Sequence, residues 1–575
     1  MKYQVAVFLL LLSAACSNFK QEPAEPVNPA LAYQDSIKRL REAMFAETRE
    51  SAAVLIRTSL EDRLPDERFK ALGLDLYSSV LLPRVYTERA FNLLWFSQPD
   101  SMPKVLQICD FLDGLRYHGL IPDHYHYPAI RESIEMLKND SLLMFDEVFL
   151  AGLDMLLTDA WFIIASHLYF GKVDRESLKA EWNIRRSKPD LPLDRYLLRM
   201  LDSTSVTEGF RHFYPPHPGY EAMVVEAEKL EKLIDKDFKA DITLKTASLK
   251  PGDSSSAIPA IREKLKFLGF LKPGAGDQSV VYDEEMVKAV KKLQEISGFN
   301  TDGVLGKNTL QALNIPLTDK LDQLYVNMER LRWMPDSLES TYVFVNIADF
   351  TLDVFSGNDT LLTMRTIVGR DYRETPVFNS VITYMVLSPA WTVPPTIQRN
   401  DVLPAVRKNT GYLASKNMRV YDSKGKAVDP SSVNWNRDGM KYTIRQMPGP
   451  QNSLGKVKFM FPNKYNVYLH DTPSRELFAR DERTFSSGCI RVEKPFELAE
   501  LLLRDMPEWT PERIRQSMNA SAERTVVLKS PAGVYLFYLT AWGTSTGEVH
   551  YRKDIYNRDK ETIKALREKH KKYHT

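Results

Sequence analysis

The hydrophobic pattern of the chain changes near residue 340, and this change constrains the fold more than any other feature of the sequence. Before it, apolar residues recur at helical spacing, as in residues 35–60 and 142–170. After it, short runs rich in β-branched and aromatic residues, such as 342–347 and 381–387, alternate with turns. A chain of 575 residues with this switch is predicted to form several domains, helical first and mainly β afterwards.

The composition excludes several classes of protein. A hydrophobic fraction of 43% and a charged fraction of 26% are ordinary for folded domains, so wholesale disorder and fibrous folds are excluded. Lys and Arg total 77 and Asp and Glu total 75, which gives a net charge of +2. Because no global positive field results, nucleic acid is not expected as a partner.

The chain has only three cysteines, Cys16, Cys109 and Cys489. This number is too small for a disulfide framework or a Cys-rich zinc site. Cys109 lies in an apolar helical run and is expected to be a buried core thiol. His124 and His126 lie two residues apart without an evident third ligand, so we expect ordinary surface or scaffold histidines and no metal site.

The N-terminus has the pattern of an export signal. Lys2 precedes the apolar run 5–12, and Ser13-Ala14-Ala15 precedes Cys16. This arrangement resembles a bacterial lipobox, in which the cysteine is acylated and becomes the mature N-terminus. We therefore predict a lipoprotein signal peptide over residues 1–15, a tether over 16–30, and a lipid-anchored protein facing the periplasm of the cell envelope. The alternative is an ordinary signal peptide with an incidental cysteine.

Helix-breaking residues and changes of hydrophobic pattern divide the remaining chain into domains, so we predict a multi-domain α + β protein. The predicted parts are a helical scaffold domain (31–245), a unit of three short helices (246–316, with helices at 258–268, 283–297 and 307–313), a linking helix (317–340), a mainly β domain (341–530) with an insertion (398–445), and a C-terminal strand and helix extension (531–575).

One stretch of the β domain carries the residues of a nucleophilic site. Cys489 follows a Ser-Ser-Gly turn, and a cysteine nucleophile requires a thiolate, a base and donors for an oxyanion. His470 is the only histidine between His217 and His550, so it is the expected base. Gly488 permits close backbone approach, so the amides around it are candidates for the oxyanion site.

Strand alternation predicts how the neighbouring side chains are arranged. Tyr468 shares a face with His470, whereas Asp471 points away, so a backbone carbonyl is a better candidate than Asp471 for orienting the imidazole. Arg491 would share the face of Cys489, where a guanidinium either raises the local positive potential or binds a substrate carboxylate.

These residues resemble a known signature. His470 followed by Ser486-Ser487-Gly488-Cys489-Ile490-Arg491 resembles the L,D-transpeptidase catalytic domain, the YkuD family. Further segments resemble its large YcbB-like branch, namely residues 345–347, 367–370, 375–378, 391–395, 445–450 and 458–463. The 246–316 unit resembles a peptidoglycan-binding domain, and the insertion resembles that branch's substrate-capping subdomain. Ser487 departs from the pattern, because many relatives have His there.

The resemblance implies a reaction on peptidoglycan stem peptides. Cys489 would attack a donor tetrapeptide, His470 would act as base and then acid, and a second stem's side-chain amine would resolve the thioester into a 3→3 cross-link. Arg491, Tyr468, Ser487 and Trp391 are then candidates for contacting the substrate, with Trp391 belonging either to the core or to the donor-site wall. The resemblance implies no metal or cofactor, and it implies acylation of Cys489 by carbapenems. The insertion is predicted to be a lid that excludes water.

Two other functions remain open from the sequence. A hydrolase or carboxypeptidase of the same fold would use the same cysteine and histidine with water as acceptor, acting on peptidoglycan or on wall-anchored lipoproteins. A non-catalytic wall-binding scaffold would use only the 246–316 unit. The presence of both Cys489 and His470 argues against the scaffold.

Overall fold

The computed structural model describes residues 29–62, 67–99, 101–185, 191–203, 205–238, 240–272, 274, 278–357 and 359–569. The predicted signal peptide, Cys16 and most of the predicted tether lie outside the described residues. The fold class is confirmed: a helical N-terminal region is followed by a small helical unit and a β-rich domain with an inserted subdomain.

The first part of the described chain is a helical domain built around one long buried helix. Its helices are α1 (Pro29–Glu61), α2 (Leu81–Glu88), α3 (Met102–Gly114), α4 (Tyr127–Asn139), α5 (Glu147–Phe170), α6 (Leu193–Asp202), α7 (Val206–Arg211) and α8 (Tyr220–Leu233), with short strands β1 (Lys70–Ala71), β2 (Leu74–Asp75) and β3 (Trp182–Asn183). By length and composition α5 could cross a membrane, but 89% of its most apolar window is buried inside the protein. It is therefore the core helix of this domain.

Two carboxylates on α5 hold the surrounding loops. Asp154 accepts the backbone N–H groups of Leu94 and Trp95 at 3.0 and 2.8 Å, and burial raises the pKa of Asp154 to about 6. Asp159 accepts a 2.7 Å hydrogen bond from Nε2 of His126, which is buried. These acidic residues, which interrupt the apolar run in the sequence, therefore have structural partners.

Cys109 on α3 is half-buried, whereas a buried position was expected. The buried stripe of α3 contains Val105, Ile108, Phe111 and Leu112. Cys109 lies one position beyond Ile108, at the edge of this stripe, so it packs against the core with only part of its surface.

Three helices form the next unit, as predicted from the sequence. They are α9 (Ile258–Phe267), α10 (Glu284–Ile296) and α11 (Lys307–Asn314), and each end lies within about one residue of its predicted position. The Asp283 carboxylate accepts the N–H of Met286 and caps α10. Gly298 follows this helix at φ +75°, the left-handed conformation that favours glycine.

Helix α12 (Leu317–Arg332) packs against the scaffold helices α5 and α8 and buries charged side chains. Arg332 and Glu329 are both fully buried and joined by a 2.8 Å ion pair. The Glu329 carboxylate also accepts the N–H of Val173 at 2.7 Å and the indole N–H of Trp333 at 3.2 Å. Glu329 therefore connects α12 to the loop that follows α5.

The strands of the second half are β4 (Thr341–Asn346), β5 (Thr351–Ser356), β6 (Asp359–Gly369), β7 (Val377–Leu387), β8 (Trp391–Thr392), β9 (Met418–Tyr421), β10 (Ala427–Val428), β11 (Thr443–Gln446), β12 (Val457–Met460), β13 (Leu469–His470), β14 (Thr484–Ser486), β15 (Ile490–Val492), β16 (Arg524–Phe537), β17 (Ala541–Gly543) and β18 (Val549–Tyr551). Eight of them follow the order β12-β13-β15-β6-β5-β4-β16-β7, and β7 pairs with β12, so the sheet closes on itself. The scaffold strand β3 pairs with β7, which attaches the helical domain to this barrel.

The inserted subdomain is wider than the predicted 398–445. Its sheet has the order β10-β9-β11-β8, so it includes Trp391–Thr392 at one end and continues to Gln446 at the other. The helices α13 (Pro395–Ile397), α14 (Leu403–Lys408) and α15 (Gly411–Ser415) pack beside it around a separate hydrophobic core. The predicted boundary was too narrow because β8 precedes the polar stretch that marked the insertion in the sequence.

Strand β16 crosses the predicted boundary between residues 530 and 531. Its later residues pair in parallel with β4, from Gly533 opposite Tyr342 to Phe537 opposite Asn346. This segment is therefore an interior strand of the barrel and not an extension of it. The helices α16 (Pro495–Leu502) and α17 (Pro511–Met518) precede β16, and α18 (Asp559–Arg567) packs against α12.

Replacing Glu329 by Leu should lower the free energy of unfolding by about 3–5 kcal/mol, because it removes the carboxylate that balances the buried Arg332 charge. Thermal and urea unfolding of the purified protein measure the change. Glu228→Leu is the matched control, since Glu228 forms only an exposed, solvent-screened i,i+4 pair with Lys232. Equal losses for the two variants would contradict the role given to Glu329.

Candidate active site

Two adjacent parallel strands bring the predicted site residues together. Strand β13 pairs with β15 so that Leu469 lies opposite Ile490 and His470 lies opposite Arg491. Cys489, directly before β15, is therefore level with the residue before Leu469. Because facing residues of paired strands point to the same side, Cys489 and His470 lie on one face of the sheet.

His470 is buried, and its own neighbour in the chain orients it. Its Nδ1 lies 2.6 Å from the backbone oxygen of Asp471. A carbonyl can only accept, so the proton resides on Nδ1 and Nε2 is left as the basic nitrogen. The Asp471 carboxylate instead contacts Arg475 at 3.2 Å and accepts the N–H of Lys456 at 2.9 Å. This confirms the prediction of a carbonyl orienter.

Burial and two cations keep the His470 imidazole neutral. Burial, the Arg491 guanidinium and the Lys458 ammonium lower the pKa of His470 to about 3, although its hydrogen bond to the Asp471 carbonyl acts in the opposite sense. Lys458 faces His470 from β12, and Arg491 faces it from β15. At neutral pH the residue is therefore a base that can accept a proton.

The Cys489 thiol is half-buried and lies among polar groups. Its Sγ is 3.7 Å from the backbone oxygen of Asn466. Burial raises the pKa of Cys489, whereas hydrogen bonds from the backbone and side chain of Tyr468 and the charge of Arg491 act to lower it. The resting thiol is therefore largely protonated near neutrality, with donors in place for the thiolate when it forms.

Tyr468 links this thiol to the inserted subdomain. Burial and the neighbouring Cys489 raise the pKa of Tyr468, and a hydrogen bond from the Trp391 side chain opposes the rise. Trp391 also packs against the core of the subdomain. The structure thus shows Trp391 packed against the core of the subdomain and beside Tyr468, and its part in a donor-site wall stays a prediction.

Hydrogen bonds within the turn before Cys489 and from a neighbouring loop fix the conformation of this turn. The N–H of Gly488 donates to Ser486 Oγ at 3.1 Å, so this amide is occupied. Ser487 Oγ accepts a 2.9 Å hydrogen bond from Arg373, which also contacts Asp401 of the inserted subdomain at 3.3 Å. Ser487 is thus connected to the subdomain through Arg373. The residue pattern alone gave no signal for Arg373 or Asp401, because both lie in polar stretches far from Cys489 in sequence.

The scaffold histidines contact side chains of the protein. His124 Nδ1 lies 2.7 Å from Lys172 Nζ, and His126 binds Asp159. Across the ranges that the structure describes, no group of three His, Cys, Asp or Glu residues could hold a metal ion.

Three segments of the chain match known protein families. Residues 340–525 match the L,D-transpeptidase catalytic domain, YkuD. Residues 80–226 match the scaffold domain, and residues 254–313 match a domain described as "Putative peptidoglycan binding domain". Successive segments of the chain are therefore similar to a scaffold domain, a peptidoglycan-binding domain and an L,D-transpeptidase catalytic domain.

A curated protein of Haemophilus influenzae, named "Putative L,D-transpeptidase", is 35% identical over 276 residues, which is 47% of this chain and 55% of that protein. The chain thus spans about half the length of the curated relative it matches. Among solved structures, the L,D-transpeptidase from Mycobacterium smegmatis matches at 13% identity and a TM-score of 0.18, over 34% of this chain and 58% of that one. L,D-transpeptidase 1 of Mycobacterium tuberculosis matches at 13% identity and a TM-score of 0.14, over 34% and 61%. Because TM-scores this low carry no structural argument, the likeness to L,D-transpeptidases rests on the sequence-family matches.

Replacing Tyr468 by Phe should slow alkylation of Cys489 at neutral pH and move the midpoint of its pH profile upward. The Tyr468 hydroxyl lowers the pKa of Cys489, so its removal leaves less thiolate at any given pH. Iodoacetamide labelling followed by peptide mass spectrometry resolves Cys489 from the other cysteines.

Tyr465→Phe serves as the control for this prediction, because the Tyr465 hydroxyl donates to Glu181 at 2.6 Å. Its profile should match that of the unmodified protein. A Tyr468→Phe profile that also matches would show that the hydroxyl does not act on the thiol.

Proposed function

We propose that this protein is an L,D-transpeptidase that forms 3→3 cross-links between peptidoglycan stem peptides through a cysteine thioester. The observation that carries the proposal is the pairing of β13 with β15, which places Cys489 on one sheet face with a neutral, carbonyl-oriented His470. The three family matches support peptidoglycan as the substrate.

The first half of the reaction is acyl transfer to sulfur. His470 Nε2 takes the thiol proton as Cys489 Sγ attacks the carbonyl carbon of the L-centre of the diamino acid in a donor tetrapeptide. The tetrahedral intermediate collapses, the bond to the terminal D-alanine breaks, and the imidazolium returns its proton to the leaving amine. The neutral resting state of His470 suits this order, because a base must be unprotonated before the thiol ionises.

The second half transfers the acyl group to an amine. The side-chain amine of a second stem attacks the thioester carbonyl, His470 removes the proton from the amine, and Cys489 leaves as the thiolate. Arg491 is the candidate for holding a carboxylate of the donor or the acceptor. Its side chain is on the same face, and within the described residues its buried Nε has no hydrogen-bond partner.

The proposed function also implies a location in the cell envelope. A peptidoglycan substrate places the enzyme in the periplasm, and Cys16 would supply a lipid anchor to the membrane. Tyr468 and Ser487 form the part of the site that faces the inserted subdomain, to which Trp391 belongs, and the substrate would be covered there.

Mass spectrometry of products after incubation with disaccharide-tetrapeptide tests the proposal. Dimers linked 3→3 are expected from the purified protein and from a Cys109→Ala control, because Cys109 lies in the scaffold, and none are expected from Cys489→Ala. Tripeptide without dimers would identify the hydrolase instead. No turnover with wall binding retained would favour the non-catalytic scaffold and would overturn the proposal.

The turn that precedes Cys489 (residues 486–488) is called the nucleophile turn. Weakening its contact with the inserted subdomain should favour water over the amine as acceptor. Asp401→Ala removes the partner of Arg373, an exposed pair worth up to about 1 kcal/mol. The ratio of tripeptide to cross-linked dimer should therefore rise by about two- to fivefold.

Lys424→Ala is the matched control, because Lys424 lies on the same subdomain in the turn between β9 and β10. Its product ratio should stay at the level of the unmodified protein. An unchanged ratio in Asp401→Ala would refute the lid role of the subdomain.

A further inference from the structure

A single buried hydroxyl holds the backbone of the nucleophile turn from behind. Thr375 is fully buried, and its Oγ1 donates to the backbone oxygen of Gly488 at 2.9 Å. Thr375 Oγ1 in turn accepts the N–H of Gly369 at 2.9 Å. Donor and acceptor roles of this hydroxyl are both used, so its orientation is fixed.

The peptide that joins Gly488 to Cys489 is thereby fixed as well. A trans peptide is planar, and its N–H points opposite to its C=O. With the Gly488 carbonyl directed at Thr375, the Cys489 N–H is directed to the other side. Within the described ranges this N–H has no hydrogen-bond partner, whereas the N–H of Gly488 is bound to Ser486.

We infer that Thr375 is a positioning residue for the oxyanion site, and that it acts by directing the Cys489 N–H toward the carbonyl under attack. The inference rests on the proposed acyl-transfer function. It explains why a remote threonine is needed: Gly488 has φ +109° and no side chain, so nothing in its own conformation prevents the following peptide from rotating.

The C-terminal segment in turn holds Thr375 in place. The hydroxyl of Tyr556 donates to the backbone oxygen of Gly369 at 2.6 Å and accepts the N–H of Thr375 at 3.3 Å. Arg558 binds the adjacent Glu374 through its Nε at 3.2 Å. The nucleophile turn therefore depends on residues more than sixty positions further along the chain.

Thr375→Val keeps the shape of the side chain and removes both hydrogen bonds. It should lower kcat for cross-linking by about 10²-fold, the effect of losing one oxyanion donor, with little change in KM. Thr375→Ser restores the hydroxyl and should recover activity to within about tenfold of the unmodified protein. Alkylation of Cys489 by iodoacetamide forms no oxyanion, so its rate should be the same in all three proteins.

Thr366→Val is the matched control. Thr366 is fully buried on β6, close to Gly369 in the chain, and its hydroxyl has no hydrogen-bond partner within the described residues. This variant should keep full activity. Melting temperatures of all variants identify any loss of fold.

A nuclear magnetic resonance experiment tests the geometry independently of turnover. Cys489 is the only cysteine that follows a glycine, so labelling glycine carbonyls with ¹³C and cysteine amides with ¹⁵N gives one cross-peak, from the Gly488–Cys489 peptide. This peak should shift or broaden in Thr375→Val and stay in place in Thr366→Val.

The outcomes separate the two proposals. If the unmodified protein shows no cross-linking turnover, the proposed function is contradicted. The Gly488–Cys489 cross-peak then still decides whether Thr375 positions this peptide. Full activity and an unmoved cross-peak in folded Thr375→Val would overturn the inference, as would failure of Thr375→Ser to recover activity while folded.

Discussion

The site depends on the register between β13 and β15. These strands are only two and three residues long, yet their pairing decides which side chains face the thiol. A shift by one residue would turn His470 to the opposite face of the sheet. The strands are too short to hold this register alone. The closed barrel supplies the constraint, because β12 and β6 flank the pair on either side.

The site holds its nucleophile and its base uncharged at rest. Arg491 and Lys458 disfavour an imidazolium at His470, and burial disfavours a thiolate at Cys489. Such a pair differs from one that is ionised before the substrate arrives, because charge separates only during attack. The arrangement also protects the thiol, since oxidants and alkylating agents react with thiolates. Under the proposed periplasmic location, this protection limits oxidation of Cys489.

Local sequence patterns predicted local structure well, but they did not predict contacts between residues that are distant in the sequence. The three helices of the 246–316 unit and the carbonyl that orients His470 follow from spacing and strand alternation, and both were confirmed. The interior position of β16 did not follow, because a strand's partners are set by the closure of the whole sheet and not by its own residues. Thr375 and Arg373 were missed for the same reason: each acts through one hydrogen bond to a residue more than a hundred positions away.

The late position of β16 has a consequence for how the chain is made. This strand lies between β4 and β7, so the barrel cannot close until residue 537 has left the ribosome. Tyr556, which supports the loop behind the nucleophile turn, emerges later still. Synthesis from the N-terminus therefore delivers Cys489 and His470 before the strand and the tyrosine that position them. A chain that ends before residue 537 would carry Cys489 and His470 without the closed barrel that sets their geometry.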